Sequence, residues 1–303
     1  MHIVIPGAWP EPEVAGELAG HVAQRAPVLA AWMAHSTTAI TQSPAADTWC
    51  MPHEHWLLKA CNFNPAEAEH ISAGLGPLRG APADKEPVWL AELVHMAPSR
   101  DGAALLPARV LDITPEQSHA LWETARDYLQ ESGLELEALT TDTWRVRWPQ
   151  AVTLPCASPA LVATSAVNDW WPQEAAARPW RQLANTLQMA WYEHPANQAR
   201  AALGQAPVNS LWLYGGAGQS QLGRTPPNDI QTDFSLYDLA ISQQWGEWIE
   251  ALARLDQQLF TQLTTQPASL ILSGRNRYVE LSAHTGWFAR WRTQDWRRWW
   301  CSR

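Results

Sequence analysis
The chain has no apolar run of membrane-spanning length, few cysteines, few phenylalanines, and less positive than negative charge. A transmembrane helix needs about 20 consecutive apolar residues, so none is expected. Lys and Arg total 21 against 30 Asp and Glu, a formal net charge of -9. Binding along a phosphate backbone requires clustered cations, so a nucleic-acid partner is not expected, and an acidic surface chiefly favours solubility. Cys50, Cys61, Cys156 and Cys301 match no disulfide framework, which predicts buried free thiols in a reduced compartment. The segment MHIVIPGAWPEP enters a strand with no charged leader ahead of an apolar run, and this points to the cytoplasm rather than to secretion. Against 4 phenylalanines stand 20 tryptophans. Each indole buries a large surface and carries one N–H that needs an acceptor, so most are expected in the core or at its rim.

Apolar periodicity predicts strands alternating with helices. His2 to Ile5 reads as a strand, and Val14, Leu18, Val22, Leu29 and Trp32 form one stripe of a helix over 14–34. Further helices are expected over 53–60, 65–73, 115–131, 178–192 and 237–263. Strands are expected over 88–96, 108–113, 136–146, 211–214, 269–273 and 277–282. Thr114 and Pro115 suit the N-cap and first position of the 115–131 helix, with Gln117 placed for a capping box. The alternation implies an α/β sheet covered by helices on both faces. Residues 106–159 read as a β-α-β insertion in a core built from 1–105 and 160–303.

The stretch from Gln188 to Gly218, QMAWYEHPANQARAALGQAPVNSLWLYGGAG, is the most distinctive part of the chain. Leu187, Trp191 and Leu203 are the apolar positions of a helical segment, Pro195 and Gly204 punctuate it, and Leu211 to Tyr214 reads as a buried strand. That strand runs into Gly215, Gly216 and Gly218. Such a turn admits close approach of a ligand to free amides, an anion nest, or simply ends a core strand tightly. The order His194, Pro195, Asn197, Arg200, Gly204, Pro207, Asn209, then an aromatic-Gly-Gly strand end, resembles the archaeal-type cofactor-independent phosphoglycerate mutases. It is similar in particular to a proteobacterial branch that includes pathogenicity-factor regulatory proteins. DITPEQSHALWETARDYLQESGLELEALTTDTWRVRW, Asp112 to Trp148, resembles the inserted subdomain of those mutases. The likeness is clearest over Asp112 to Gly218 and thins towards both ends. It implies an alkaline-phosphatase-like sheet with a small inserted α+β subdomain, and a family chemistry of two divalent metals and a phosphoryl-carrying serine. It also implies a pocket at Gly215, Gly216 and Gly218, with His194 and Asn197 nearby. There Arg200 would pair with an anion and Asn209 would fix a ligand or bond the backbone.

The ligand inventory departs from that pattern. Two bridging metals require several Asp and His side chains. The family's first strand ends in an acidic Asp-Gly motif, whereas this one ends in Pro6 and Gly7, with no acidic residue before Glu11. The family's late Asp-His pairs have no counterpart: the chain contains no Asp-His dipeptide, and His284 is its only late histidine. Ser43 is the best placed nucleophile, yet no base adjoins it in sequence, and beside Pro44 it also suits a turn. Cys50, His53, His55 and Cys61 offer zinc donors in the spacing C-x2-H-x-H-x5-C, which is not that of a standard finger. Trp56, Leu57, Leu58 and Ala60 suggest instead a helix that turns Cys61 into the core. His95, on the 88–96 strand, faces either a cleft or a core hydrogen-bond partner.

At the end of the chain, Trp287 and Trp291, and Trp296 and Trp300, are spaced by four, with Arg290, Arg297 and Arg298 among them. A helix there has an aromatic face that docks on its own sheet or meets a partner or membrane surface. The favoured function is a mutase-like protein without the dimetal site, needing no cofactor and acting in regulation on a protein partner or small anionic ligand. One alternative is an active mutase using manganese or another divalent metal held by residues such as Asp112, Asp229, Asp233, Asp238 and His284. The other is an interaction module that presents tryptophans and the Arg/Trp tail.

Overall fold
The computed structural model describes residues 1–80, 86–100, 102–263, 267–284 and 293–302. Its strands are β1 (His2–Pro6), β2 (Ser36–Gln42), β3 (Trp89–Ser99), β4 (Gly102–Leu106), β5 (Glu135–Ala138), β6 (Thr143–Arg147), β7 (Ser210–Gly215), β8 (Ile230–Thr232), β9 (Ser269–Ser273) and β10 (Arg277–Ala283). The class is mixed α/β, with two sheets flanked by helices. Among the described residues no helix is long and apolar enough to cross a membrane.

The chain divides into two units. The first comprises Met1–Pro44, Met51–Trp56 and Pro227–Arg303. Its sheet runs β2-β10-β9-β1-β8, with β1 parallel to β8 and β9, and β10 antiparallel to β9 and β2. The run Ile3 to Pro6 is wholly buried, as a strand with parallel neighbours on both sides requires. Val22, Leu29, Trp248, Leu252, Leu270 and Leu272 meet in the core.

The expected 14–34 helix is two helices, Pro12–Arg25 and Pro27–Ala34, broken at Ala26. Pro27 lacks an N–H and drives the preceding residue out of helical geometry; Ala26 has φ -132° and ψ 63°. The orphan amides of Val28 and Leu29 donate to the Asp256 carboxylate at 3.3 and 2.8 Å. The expected 237–263 helix is likewise divided into Tyr237–Ile241, Trp245–Leu255 and a π-helical turn, Asp256–Phe260, with Gln243 at φ 56° between the first two.

The tail is docked where it is described. Trp296, Trp299 and Trp300 are buried in the first unit's core, and the Trp9 indole donates to the Trp300 carbonyl at 2.9 Å. Arg277 lies 4.1 Å over the Trp9 ring and donates to the Ser302 carbonyl. Trp287, Arg290 and Trp291 lie outside the described residues.

The second unit comprises Ala45–Cys50 and Leu57–Pro226. Its sheet is antiparallel throughout, with β4, β6 and β7 all pairing with β3, and β5 pairing with β6. Helices Pro115–Ser132 and Arg178–Tyr192 supply Leu121, Ala125, Leu187 and Trp191 to a core that contains Trp89, Leu93 and Trp144. Thr114 and Gln117 form the complete capping box. Within segment 106–159, β6 is hydrogen-bonded along β3. Residues 108–113 contain a 3₁₀ turn rather than a strand, and 136–146 is a hairpin whose turn is held by the Thr140 hydroxyl. The segment 65–73 has no α-helix; a 3₁₀ turn, Ile71–Gly74, leads into a short helix, Leu75–Arg79.

Candidate functional site
The distinctive motif of the second unit assembles as a set of braces. Asn197 donates its amide to the carbonyls of Trp191 and Val208 and accepts from the Val208 N–H, each at 2.8 Å. Arg200 is fully buried and donates to the carbonyls of Ala206 and Leu111 and to Gln117 Oε1. Burial pulls its pKa down, and nearby Asp112 opposes that shift. His194 caps the helix Pro195–Ala202, its Nδ1 accepting from the Ala196 N–H at 3.1 Å. Burial holds its imidazole below the ordinary value, with a hydrogen bond to the Ala120 carbonyl acting the other way. Asn209 accepts from the Met96 N–H at 2.7 Å and donates to the Met96 carbonyl at 2.8 Å, continuing the ladder beyond β7. The anion pocket expected around Arg200 is therefore replaced by internal bonding: the buried side chains of Asn197 and Arg200 satisfy inward-facing carbonyls of a connection that is itself largely exposed.

The glycine turn behaves in the same way. Gly215 and Gly216 have φ 91° and 112°. A Cβ on Gly215 would lie 2.8 Å from Gly76 Cα, and one on Gly216 would lie 2.5 Å from the Trp89 ring. The amides of Gly216, Ala217 and Gly218 donate to Val88 O, Ala73 O and Gln221 Oε1. These amides do not form an open nest; the glycines admit close backbone packing. His95, beyond the β7-paired part of β3, bonds the Pro207 carbonyl, and burial depresses its pKa.

In the first unit Ser43 has a partner that its sequence neighbours do not supply. Its Oγ lies 2.9 Å from His55 Nδ1, and the His55 ring stands edge-on to Tyr278. A hydroxyl beside an imidazole is the elementary arrangement for nucleophile activation. Ser43 is nevertheless fully buried, so the hydroxyl is not presented to solvent. His53 packs edge-on to Phe234 and Tyr237. Cys50 and Cys61, of the second unit, are buried and not disulfide-bonded, and burial raises the Cys61 pKa. Among the described residues no three His, Cys, Asp or Glu side chains are grouped to hold a metal. Of the four zinc candidates, His53 and His55 lie two apart on helix Pro52–Ala60 and face different sides, whereas Cys50 and Cys61 belong to the second unit.

The acidic candidates are also engaged separately. Asp229 pairs with the N-terminal ammonium, Asp233 accepts from the Ser235 N–H at 2.8 Å, and Asp238 sits in the first turn of the helix Tyr237–Ile241. Asp112 belongs to the second unit, exposed and left-handed at φ 48°. His284 follows β10.

What the motif does border is a cavity of about 330 Å³ in the second unit, lined by residues that include Asn168, Trp171, Asn185, Gln188 and Ser210. The sequence carried little sign of it. Asn185 and Gln188 lie one turn apart on the exposed face of an amphipathic helix, where amides look merely solvated.

No family model and no curated protein matches the chain. Among solved structures it is similar to the PH0037 protein of Pyrococcus horikoshii, with TM-score 0.44 and 11% identity over 93% of this chain and 86% of that one. It is also similar to the cofactor-independent phosphoglycerate mutase of Thermoplasma acidophilum DSM 1728, with TM-score 0.34 and 13% identity over 94% and 90%. Both likenesses are long in coverage and loose in superposition, and neither by itself carries an inference about chemistry.

Proposed function
We propose that this chain is a phosphoglycerate-mutase-like protein that has lost the dimetal site and acts by binding, in regulation, rather than by phosphoryl transfer. The ancestry rests on the sequence likeness over Asp112 to Gly218, and it makes the α/β fold an alkaline-phosphatase-like one. The observation that carries the functional part is the separate engagement of Asp229, Asp233 and His55, together with the lack of any grouped ligand set among the described residues. Two-metal phosphoryl transfer needs carboxylates and imidazoles converging on one point, and Pro6 and Gly7 stand where the first acidic motif would be. The interaction-module reading loses much of its surface, since Trp296, Trp299 and Trp300 are buried.

The test is metal analysis of the purified full chain, alongside a mutase assay on 3-phosphoglycerate with added manganese. Neither stoichiometric metal nor turnover is expected. Manganese-dependent turnover would restore the enzyme reading and reject this one.

A further inference from the structure
We infer that the cavity in the second unit binds a small, neutral, polyhydroxylated ligand of monosaccharide size. The inference rests on the binding reading above and names a ligand class for it. The cavity exists because β3 outruns β7: residues 89–94 pair with β7, while 95–99 continue and pair only with β4. On the side facing away from β4, the Met96 N–H and carbonyl are taken by the Asn209 side chain, and the next residue in phase, Pro98, has no N–H. That edge therefore lacks the row of donors that a peptide would need to add as a strand.

Side chains from three other segments complete the wall. Asn185 and Gln188 come from helix Arg178–Tyr192, Ser210 begins β7, and Asn168 and Trp171 come from the turn before that helix. The side chains of Asn168, Asn185 and Gln188 line the cavity and are exposed to solvent. Each offers one acceptor and two donors, which matches hydroxyl groups that both give and receive hydrogen bonds. Among the described residues no ionisable side chain lines the cavity. A charged ligand would meet no counter-charge among these side chains, whereas a neutral ligand needs none.

Trp171 supplies the apolar half of the recognition. Its ring centroid is 5.5 Å from that of Trp212, whose own indole N–H is tied to the Ala157 carbonyl at 2.9 Å. The electron-rich face of an indole attracts the polarised C–H groups of a sugar ring, and a braced ring loses little freedom on binding. Gly102 makes room for Asn168: at φ 123° it carries no Cβ, and one built there would lie 2.5 Å from the Asn168 amide nitrogen. The volume is at the lower end of the roughly 300–1,000 Å³ common for small-molecule sites.

The experiment is calorimetric or saturation-transfer NMR titration of the full chain with glucose, galactose, mannose, N-acetylglucosamine and myo-inositol, with glucose 6-phosphate and 3-phosphoglycerate as charged comparators. At least one neutral probe is expected to bind below about 10 mM, a range in which specific weak complexes are measurable. Gln188→Ala and Asn185→Ala remove exposed amides and should together weaken it about tenfold, the scale of one or two lost hydrogen bonds, without changing Tm. Trp171→Ala should weaken it further. Failure of every neutral probe, unchanged affinity in the amide variants, or tighter binding of the phosphorylated probes would each overturn the site. Absence of neutral binding together with absence of mutase turnover would remove this ligand class and leave the mutase-like reading standing. Turnover of 3-phosphoglycerate would remove the reading on which the site rests.

Discussion
The two units bury polar groups in different ways. In the first, around the parallel strands β8, β1 and β9, the interior is aliphatic and aromatic, and the indoles of Trp9 and Trp248 each donate to a backbone carbonyl, of Trp300 and Gly7. In the second, around the antiparallel sheet, Asn197 and Arg200 reach into irregular backbone to hold the connection between helix Arg178–Tyr192 and β7, and Asn209 bonds the free edge of β3. Strands bonded on both sides satisfy their own peptide groups, whereas an irregular connection does not, and its inward-facing carbonyls take side-chain donors. A run of Asn, Arg and His before a glycine turn has the composition of a ligand site, and here it braces a loop.

That contrast is most directly broken at Arg200. Arg200→Met is expected to cost about 3–5 kcal/mol, because three acceptors would lose a buried charged donor. Urea denaturation checks it, and unchanged stability would return Arg200 to the pool of ligand-binding candidates. Next in size is Gly216→Ala, expected to cost about 3 kcal/mol from a disallowed φ and a clash with Trp89. A neutral effect on the thermal midpoint would mean the turn has space for a ligand.

In the first unit the corresponding brace is Asp256, the distant cap of helix Pro27–Ala34. Asp256→Ala should cost about 1–2 kcal/mol, with Asp256→Asn recovering most of it by keeping an acceptor oxygen. Equal losses in both variants would assign the effect to the charge rather than to the cap. Smallest is a pH effect on the second unit. His70, His95 and His194 all have pKa values held below the ordinary 6.5, with burial the first cause in each. A depressed histidine contributes stability that is present above the unfolded-state value and is lost as pH falls through the folded value. Denaturation midpoints should therefore decline as the pH drops below 6.5, and His95→Gln should flatten that decline. Identical pH profiles for the variant and the parent would show that His95 does not contribute.

Elements whose signals are local were legible in the residues alone. Strands β9 and β10, the helix over 178–192 and the cap at Thr114 follow from apolar spacing, Pro at a first position and Ser/Thr chemistry, all contained within a few residues. Strands β2 and β4 escaped because STTAITQ and GAALL carry little alternation; their partners across the sheet define them. The long helices of 14–34 and 237–263 were legible as helical but not as broken, although Pro27 marked one of the breaks. Tertiary structure alone decided which polar residues were available. Ser43 meets His55 only through folding, Arg200 is consumed by Leu111 and Gln117 from far upstream, and Asn185 and Gln188 acquire a cavity only when β3 overshoots β7. Hydrogen-bond capacity is written in the sequence, but whether it is spent on the protein's own backbone or left for a ligand depends on which peptide groups the fold buries.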